Sequence, residues 1–518
     1  MADPAGSIRG GGIIFGDEVI SKQELAHRGK CAASGFAAQG IVPGATVALL
    51  LRNDPVFFEA SLGASTLGAF PVPINWHSSV DEVLYVIEDC GAALLVVHAD
   101  LYSKIASKLP SNIQVIVVRT PDPIREAFGL EALACAVPAG AEAWNEFVDG
   151  HEAWSGPKVR SPGSMIYTSG TTGHPKGVRR TPPIGDYTEI LEQINQATQA
   201  HVPGMRSVLT GPLYHSAPNA YGLGALRVGG ILHIVPRFDA EGLLRLIETE
   251  QITNLTMVPT MFVRLLRLPK PIRDRYDVSS LVRVSHAAAP CPPDIKRAMI
   301  DWWGPIIVEY YGGTESGVVA ACSSREWLEH PGTVGRPVAG ATIRIHADDG
   351  KEVAQGEIGE VYMIQQSYGR FRYHGREDDP DADDRGGLIS CGDIGYLDPD
   401  GFLHLCDRKR DVVISGGVNL YPAEIESVLL AHPSVRDCAV IGVPDEEFGE
   451  SLLALVEKQS DAEPITADGL RAFLRERLAH MKVPKMIEFR ANLPREDSGK
   501  IFKRKLREPY WEGRDRAI

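Results

Sequence analysis

The segment Tyr167-Thr-Ser-Gly-Thr-Thr-Gly-His-Pro-Lys-Gly177 gathers three glycines and four Ser/Thr hydroxyls around one lysine. It directly follows an apolar run, 165–168. Glycines let successive backbone N–H groups converge on an anion, hydroxyls add donors, and a lysine adds a point charge. The chemistry suggested is phosphate binding. The spacing is not that of a Walker loop, because Lys176 stands behind a proline. A flexible connector is the competing reading. It is weakened by the buried strand before the loop and by the Pro-Lys-Gly that ends it.

A second cluster, Tyr310-Tyr-Gly-Gly-Thr-Glu-Ser316, follows the apolar run 306–308. Ligands of α/β sheets bind beyond the carboxyl ends of strands. An aromatic ring there could stack a base and a carboxylate could hold a metal; a plain turn is the alternative. A third cluster pairs Asp393, in Gly392-Asp-Ile-Gly395, with Arg408, a combination that could clasp ribose hydroxyls or form a surface ion pair. A fourth, Pro494-Arg-Glu-Asp-Ser-Gly-Lys500, carries a lysine after a Ser-Gly turn, able to reach across a cleft or simply to be solvated.

These residues need rigid elements behind them. Apolar runs at 47–51, 93–97, 115–118, 165–168, 231–235, 255–258 and 306–308 read as buried strands, with helical patterns such as 242–249 and 293–303 between them. That alternation predicts parallel sheets covered on both faces. The pattern changes near Asp398-Pro-Asp-Gly401, a turn between short strands at 394–397 and 402–406. The charged run Asp407-Arg-Lys-Arg-Asp411 follows, a hinge or a surface loop, and then helices at 423–431 and 469–480 around a strand at 438–442.

The chain has 518 residues, 44% apolar and 23% charged, enough for a large core. Lys+Arg number 53 against Asp+Glu 67, net −14. A negative body argues against nucleic acid or an anionic membrane as main partner. The eight cysteines, Cys31 to Cys438, lack paired spacing and read as reduced thiols of a cytoplasmic protein. No signal-peptide pattern stands in residues 1–12, and the longest apolar stretch, 41–51, is too short to span a bilayer.

Together, in this order, the four clusters resemble the adenylate-forming superfamily of acyl-CoA synthetases, peptide-synthetase adenylation domains and firefly luciferase. Ser415-Gly-Gly417, Tyr421-Pro-Ala-Glu424-Ile-Glu426 and the 494–500 segment look most like bacterial acyl-CoA ligases. The resemblance implies an α/β fold: a large N-terminal domain (1–407) of two α/β subdomains plus a β-barrel, a hinge at 408–411 and a small mobile α+β lid (412–518). It implies ATP, Mg²⁺ and coenzyme A, with a carboxylic acid converted through an acyl-adenylate to a thioester. No integral membrane segment or nucleic acid is implied, and a homodimer is compatible.

Position by position, the resemblance assigns Thr168, Ser169, Gly170, Thr171, Thr172, Gly173 and Lys176 to the phosphates. It places Ala288 on the adenine side, Tyr311 stacking on adenine, Gly312 and Thr314 in the ATP/AMP site, and Asp393 and Arg408 on the ribose. Glu315 with Thr168 or Thr171 would bind Mg²⁺, and Lys500 would contact the carboxylate and α-phosphate. His215 would sit at the mouth of an acyl pocket formed by Tyr214, Ala217, Asn219, Tyr221, Met257, His286, Gly312 and Gly313. Ser415, Gly416 and Gly417 would admit coenzyme A, and Arg410 would be the hinge. Ser285-His-Ala-Ala-Ala-Pro290 departs from the family in lacking glycines there, and no gating tryptophan follows His215. The small pair Gly312–Gly313 then suggests a wide pocket for an aryl-alkanoic or steroid side-chain acid, or a medium-chain fatty acid. The alternative is an adenylating enzyme that loads a separate carrier protein; the Tyr214-His-Ser-Ala-Pro-Asn219 stretch has no carboxylate for an amino-acid substrate.

Overall fold

The computed structural model describes residues 8, 10–157, 159–168, 175–180, 185–375, 387–459, 463–494 and 501–512. The apolar runs are strands, as expected. Thr46–Leu50 is buried along its whole length, as a strand covered on both faces must be. It lies between Phe70–Pro73 and Leu94–His98 in an all-parallel sheet of five strands that continues through Gln114–Val118 to Glu142–Ala143.

A second sheet of thirteen strands forms the body of the molecule. Its parallel part runs Gly12–Phe15, Ile231–Ile234, Arg206–Leu209, Asn254–Met257, Arg283–His286, Ile307–Gly313. Beyond Ile307–Gly313 the direction alternates. Gly317–Ser323, Thr333–Pro337, Leu403–Arg408, Ile389–Leu397, Gly359–Gln365 and Ala341–His346 follow as antiparallel neighbours with their own core of Val319, Ile343, Val361 and Leu403. The strands expected as a barrel are therefore hydrogen-bonded as a continuation of the large sheet. One core cluster joins both sheets, with Phe57 and Phe58 of the helix Pro55–Thr66 packed among Leu209, Tyr221 and Leu232.

Local chemistry sets the element ends. The helix Pro293–Trp303 starts on a proline, whose missing N–H is harmless in the first turn, and stops at Gly304, φ 85°. Ser79 and Glu82 close a capping box on Val80–Asp89. The last strand of the large sheet ends at Arg408. The next strand, Val413–Ser415, belongs to a separate five-stranded sheet with Val418–Leu420, Gly449–Lys458, Val435–Asp445 and Met486–Arg490. The helices Pro422–Leu430 and Ala467–Arg475 contribute Leu429, Leu470 and Leu474 to its core. The helix expected over 469–480 breaks at Arg475, with a short 3₁₀ turn at His480–Lys482.

Candidate active site

Two strand ends and one hairpin define the site. The strand Ile166–Thr168 pairs antiparallel with Lys176–Arg180 so that Thr168 faces Lys176. Ser169, Gly170, Thr171, Thr172 and Gly173 lie outside the described residues, as does Lys500. The Thr168 hydroxyl donates to Glu315 Oε1 at 3.0 Å, and the Tyr373 hydroxyl donates to the same oxygen at 3.3 Å. Lys176 is buried, with its ammonium 4.7 Å from the centre of the Tyr373 ring. Glu315 thus stands at the end of the strand Ile166–Thr168.

Glu315 belongs to the turn between Ile307–Gly313 and Gly317–Ser323. Arg180 fixes that turn: its guanidinium donates to the Thr314 carbonyl and, at 3.4 Å, to the Tyr368 carbonyl, while packing 5.0 Å from the Tyr368 ring. Thr314 Oγ1 donates to Ser216 Oγ at 3.1 Å. Ser216 opens the helix Ser216–Arg227, for which His215 is the N-cap. That bond joins the Glu315 side of the site to the Tyr214–His215 side.

Tyr311 donates its hydroxyl to Asp393 Oδ2 at 2.6 Å, and Arg408 Nε approaches Asp393 Oδ1 at 3.4 Å. Asp393 and Arg408 are direct partners across two antiparallel strands, so the pairing expected from sequence is built into the register. Burial and the Asp393 carboxylate hold the Tyr311 hydroxyl well above its ordinary pKa, so it stays a donor. Cys391 lies close by, its thiol pushed up by burial and by Glu315 and Asp393, and is unreactive at neutral pH.

On the other side, Asn53 holds the approach to His215. Its amide donates to the Gly211 carbonyl at 3.0 Å and its oxygen accepts from Leu213 N at 3.0 Å. The Tyr214 and His215 rings are 4.4 Å apart, and Trp76 meets Tyr214 edge to face at 6.4 Å. Ala217, half-buried, is the second residue of the helix Ser216–Arg227.

Several residues expected in the acyl pocket have packing or hydrogen-bonding partners within the protein. Asn219 is buried, donates to the Leu213 carbonyl at 3.1 Å and accepts from Ser164 at 3.1 Å, closing the turn before its helix. Tyr221 is buried with its hydroxyl on Ser207 at 2.5 Å. Met257 is a core residue packed with Phe262 and Leu265. His286 is fully buried behind its strand, edge-on to Phe262 at 5.2 Å. Gly312 is small for the hairpin's sake: a Cβ there would fall 1.9 Å from the Gly317 carbonyl oxygen. A Cβ on Gly313 would face Cys391 Sγ at 3.3 Å and Glu315 Oε2 at 3.5 Å, toward the carboxylate. The glycine pair therefore carries no argument for a wide acyl channel.

Ser415, Gly416 and Gly417 form the turn of the hairpin Val413–Ser415/Val418–Leu420. Both glycines have positive φ, 57° and 80°, as a two-residue turn of this kind demands. Arg410 lies in the short 3₁₀ segment Lys409–Asp411, and its carbonyl accepts from Arg507 at 3.2 Å. Sequence reasoning missed Arg180, Tyr373, Ser216 and Asn53. The adjacent pair Arg179–Arg180 inside a strand of an acidic chain was the one available signal. The others act through tertiary contacts that have no local spacing.

Residues 12–370 match the model of the AMP-binding enzyme family, and 424–500 match the AMP-binding enzyme C-terminal domain. The chain is 32% identical to a feruloyl-CoA synthase of Amycolatopsis over 98% of its own length and 97% of the relative's. It superposes with a TM-score of 0.77 and 27% identity on o-succinylbenzoate-CoA synthetase of Bacillus subtilis in complex with its acyl-adenylate, covering 96% of this chain and 94% of that one. The same synthetase with ATP and magnesium ion gives 0.78 and 27%, covering 96% of both chains. With both parts of the chain accounted for, and the Thr168–Glu315 and Tyr311–Asp393–Arg408 groups in place, this chain belongs to the AMP-binding enzyme family of the adenylate-forming superfamily.

Proposed function

We propose that the chain is an AMP-forming acid–coenzyme A ligase. A carboxylate oxygen attacks the α-phosphorus of ATP, giving an acyl-adenylate and diphosphate; the coenzyme A thiol then displaces AMP. A carboxylate is a poor acyl donor at neutral pH, and the mixed anhydride supplies a leaving group. The observation that carries the reading is one mouth with two functions: an oxygen-donor pair, Thr168 and Glu315, and a nucleoside clasp, Tyr311 with Asp393 and Arg408.

Glu315 and the Thr168 hydroxyl are hard oxygen ligands that suit Mg²⁺. A bound Mg²⁺ would neutralise phosphoryl charge. Lys176 and residues 169–173 receive the outer phosphates in this reading, and Ala288 and Gly312 flank adenine. Lys500 takes the α-phosphate during adenylation. A hinge at Arg410, between domains 1–407 and 412–518, then brings the Ser415-Gly416-Gly417 turn to the thiol. The site is taken to work in the cytoplasm on small molecules.

For the acid we favour a ring-bearing carboxylate. Support comes from the Trp76–Tyr214–His215 ring cluster beside the Ser216–Thr314 contact and from relatives named for feruloyl and succinylbenzoyl thioesters. The test is acid-dependent ATP consumption across a panel of aryl, steroid side-chain and medium-chain acids, with and without coenzyme A, read as AMP and thioester. An aryl acid should give the highest kcat/KM, and AMP should be the nucleotide product. ADP formation, or turnover only with a carrier protein, would replace the reading. Lys500→Ala should lose adenylation yet still convert presynthesised acyl-adenylate to thioester.

A further inference from the structure

A buried ionic cluster lies directly beneath the nucleotide side of this site. Lys296 is fully buried, and its ammonium donates to Glu309 Oε2, also buried. His286 Nε2 is 3.6 Å from the same oxygen. His286 and Glu309 are register partners on adjacent parallel strands. Burial and the nearby Lys296 charge keep His286 uncharged. Lys296 further stands 5.0 Å from the Trp327 ring.

The placement of the three residues matters. His286 ends the strand Arg283–His286, and a bend at 288–289 follows, where Ala288 is exposed and its neighbours 287 and 289 are half-buried. Lys296 sits in the first turn of Pro293–Trp303, the helix that follows the bend. Glu309 lies two residues before Tyr311 on the neighbouring strand. The cluster therefore ties both ends of the 287–292 connection to the strand that carries Tyr311. Within that connection Ala288 adopts φ +74°, a left-handed conformation that penalises any residue with a Cβ. A strained residue persists only where its surroundings hold it.

We propose that Lys296 and Glu309 are positioning residues: their ion pair clamps the 287–292 connection and so holds Ala288 in the strained conformation that shapes the adenine side of the site. The inference rests on the nucleotide site described above. A buried ion pair is costly to desolvate and adds little net stability compared with an apolar pair, so its retention here fits a positioning task.

The experiment is AMP titration calorimetry on the full chain, with thermal unfolding as a folding control. Lys296→Met leaves one carboxylate buried without its cation. The double variant Lys296→Met/Glu309→Gln removes both charges together and guards against misfolding of the single one. Both should weaken AMP by about tenfold, the scale of a left-handed penalty no longer held in check. Adding Ala288→Gly supplies a residue that adopts positive φ without a Cβ penalty. In either background it should recover most of the lost affinity, with Ala288→Gly alone as the reference. ATP KM should follow the same pattern, while in the Lys296→Met and Lys296→Met/Glu309→Gln variants kcat for acyl-adenylate to thioester stays close to that of the unsubstituted protein. Native AMP affinity in the double variant, or a loss that Ala288→Gly leaves unrepaired, would overturn the clamp. Absence of AMP binding by the unsubstituted protein would instead remove the nucleotide site on which it rests.

Discussion

Among the described residues, Glu315 collects two hydroxyl donors on a single oxygen, Oε1. Glu315→Gln keeps the size and the hydrogen bonds but deletes the charge. We expect adenylation to fall by about two to three decades, the usual cost of losing one electrostatic stabiliser, with the loss shrinking as Mg²⁺ is raised. A Mg²⁺ dependence identical to that of the unsubstituted protein would remove Glu315 from metal binding. The glycine pair behaves differently from what its size suggests. Gly312→Ala should destabilise the hairpin by about 1–3 kcal/mol, because its methyl would strike the Gly317 backbone. Gly313→Leu, directed at Glu315, should lower kcat/KM for ring-bearing and short linear acids alike. A change in their ratio would return position 313 to the acyl pocket. Thr168, Tyr311, Glu315, Asp393 and Arg408 were legible because each stands in a local motif, although only Asp393 and Arg408 meet through strand register. Arg180 and Tyr373 were not, since only the folding of the 371–373 strand against 176–180 brings them to Glu315.

At the scale of elements, the run that joins the two sheets is held from both sides. Lys409 pairs with Glu360 at 2.9 Å on the large sheet. Asp407 accepts from Ala423 N at 2.8 Å, and Arg507 reaches Asp411 at 3.6 Å, both from the C-terminal part. Arg267, at the end of the helix Pro259–Leu266, donates to the carbonyls of Val435 and Arg436, at 3.1 and 2.6 Å. The pairs at exposed side chains are worth little individually, so a small set of them can be exchanged during a rotation. Arg410→Pro fixes φ at the centre of the run. It should retain acid-dependent diphosphate release and lose thioester formation; equal loss of both would place the pivot elsewhere. The elements themselves were readable where burial on both faces made a strand uniformly apolar or where proline and glycine bracket a helix, as at Pro293–Trp303. The join of antiparallel strands onto the parallel sheet was not readable, because alternation marks a strand without naming its neighbour.

For the whole molecule, net charge and buried imidazoles pull stability in opposite directions as pH falls. The chain carries −14 at pH 7, so mild acid relieves self-repulsion, an effect that salt suppresses. Against this, His233 is buried in the strand Ile231–Ile234, and burial with the nearby Arg206 pushes its pKa down to about 4. Burial and Arg227 bring His201 down to about 4 as well. In the unfolded chain each titrates near 6.5. Below that pH the unfolded state binds protons that the folded state refuses, so stability is present in full above about pH 6.5 and drains away toward pH 4. Each group contributes a slope of up to about 1.4 kcal/mol per pH unit in this window. Salt screens the surface charges but not these buried rings, so the histidine effect should dominate at high ionic strength. Urea unfolding in 0.5 M salt, about the strength at which the screening length drops below 5 Å, should show a midpoint that falls steeply from pH 7 to pH 5. His233→Gln should be less stable at pH 7 yet flatter across the range, because one proton no longer separates the two states. A midpoint independent of pH, or a His233→Gln slope equal to that of the unsubstituted chain, would mean that this ring is solvated in the folded protein.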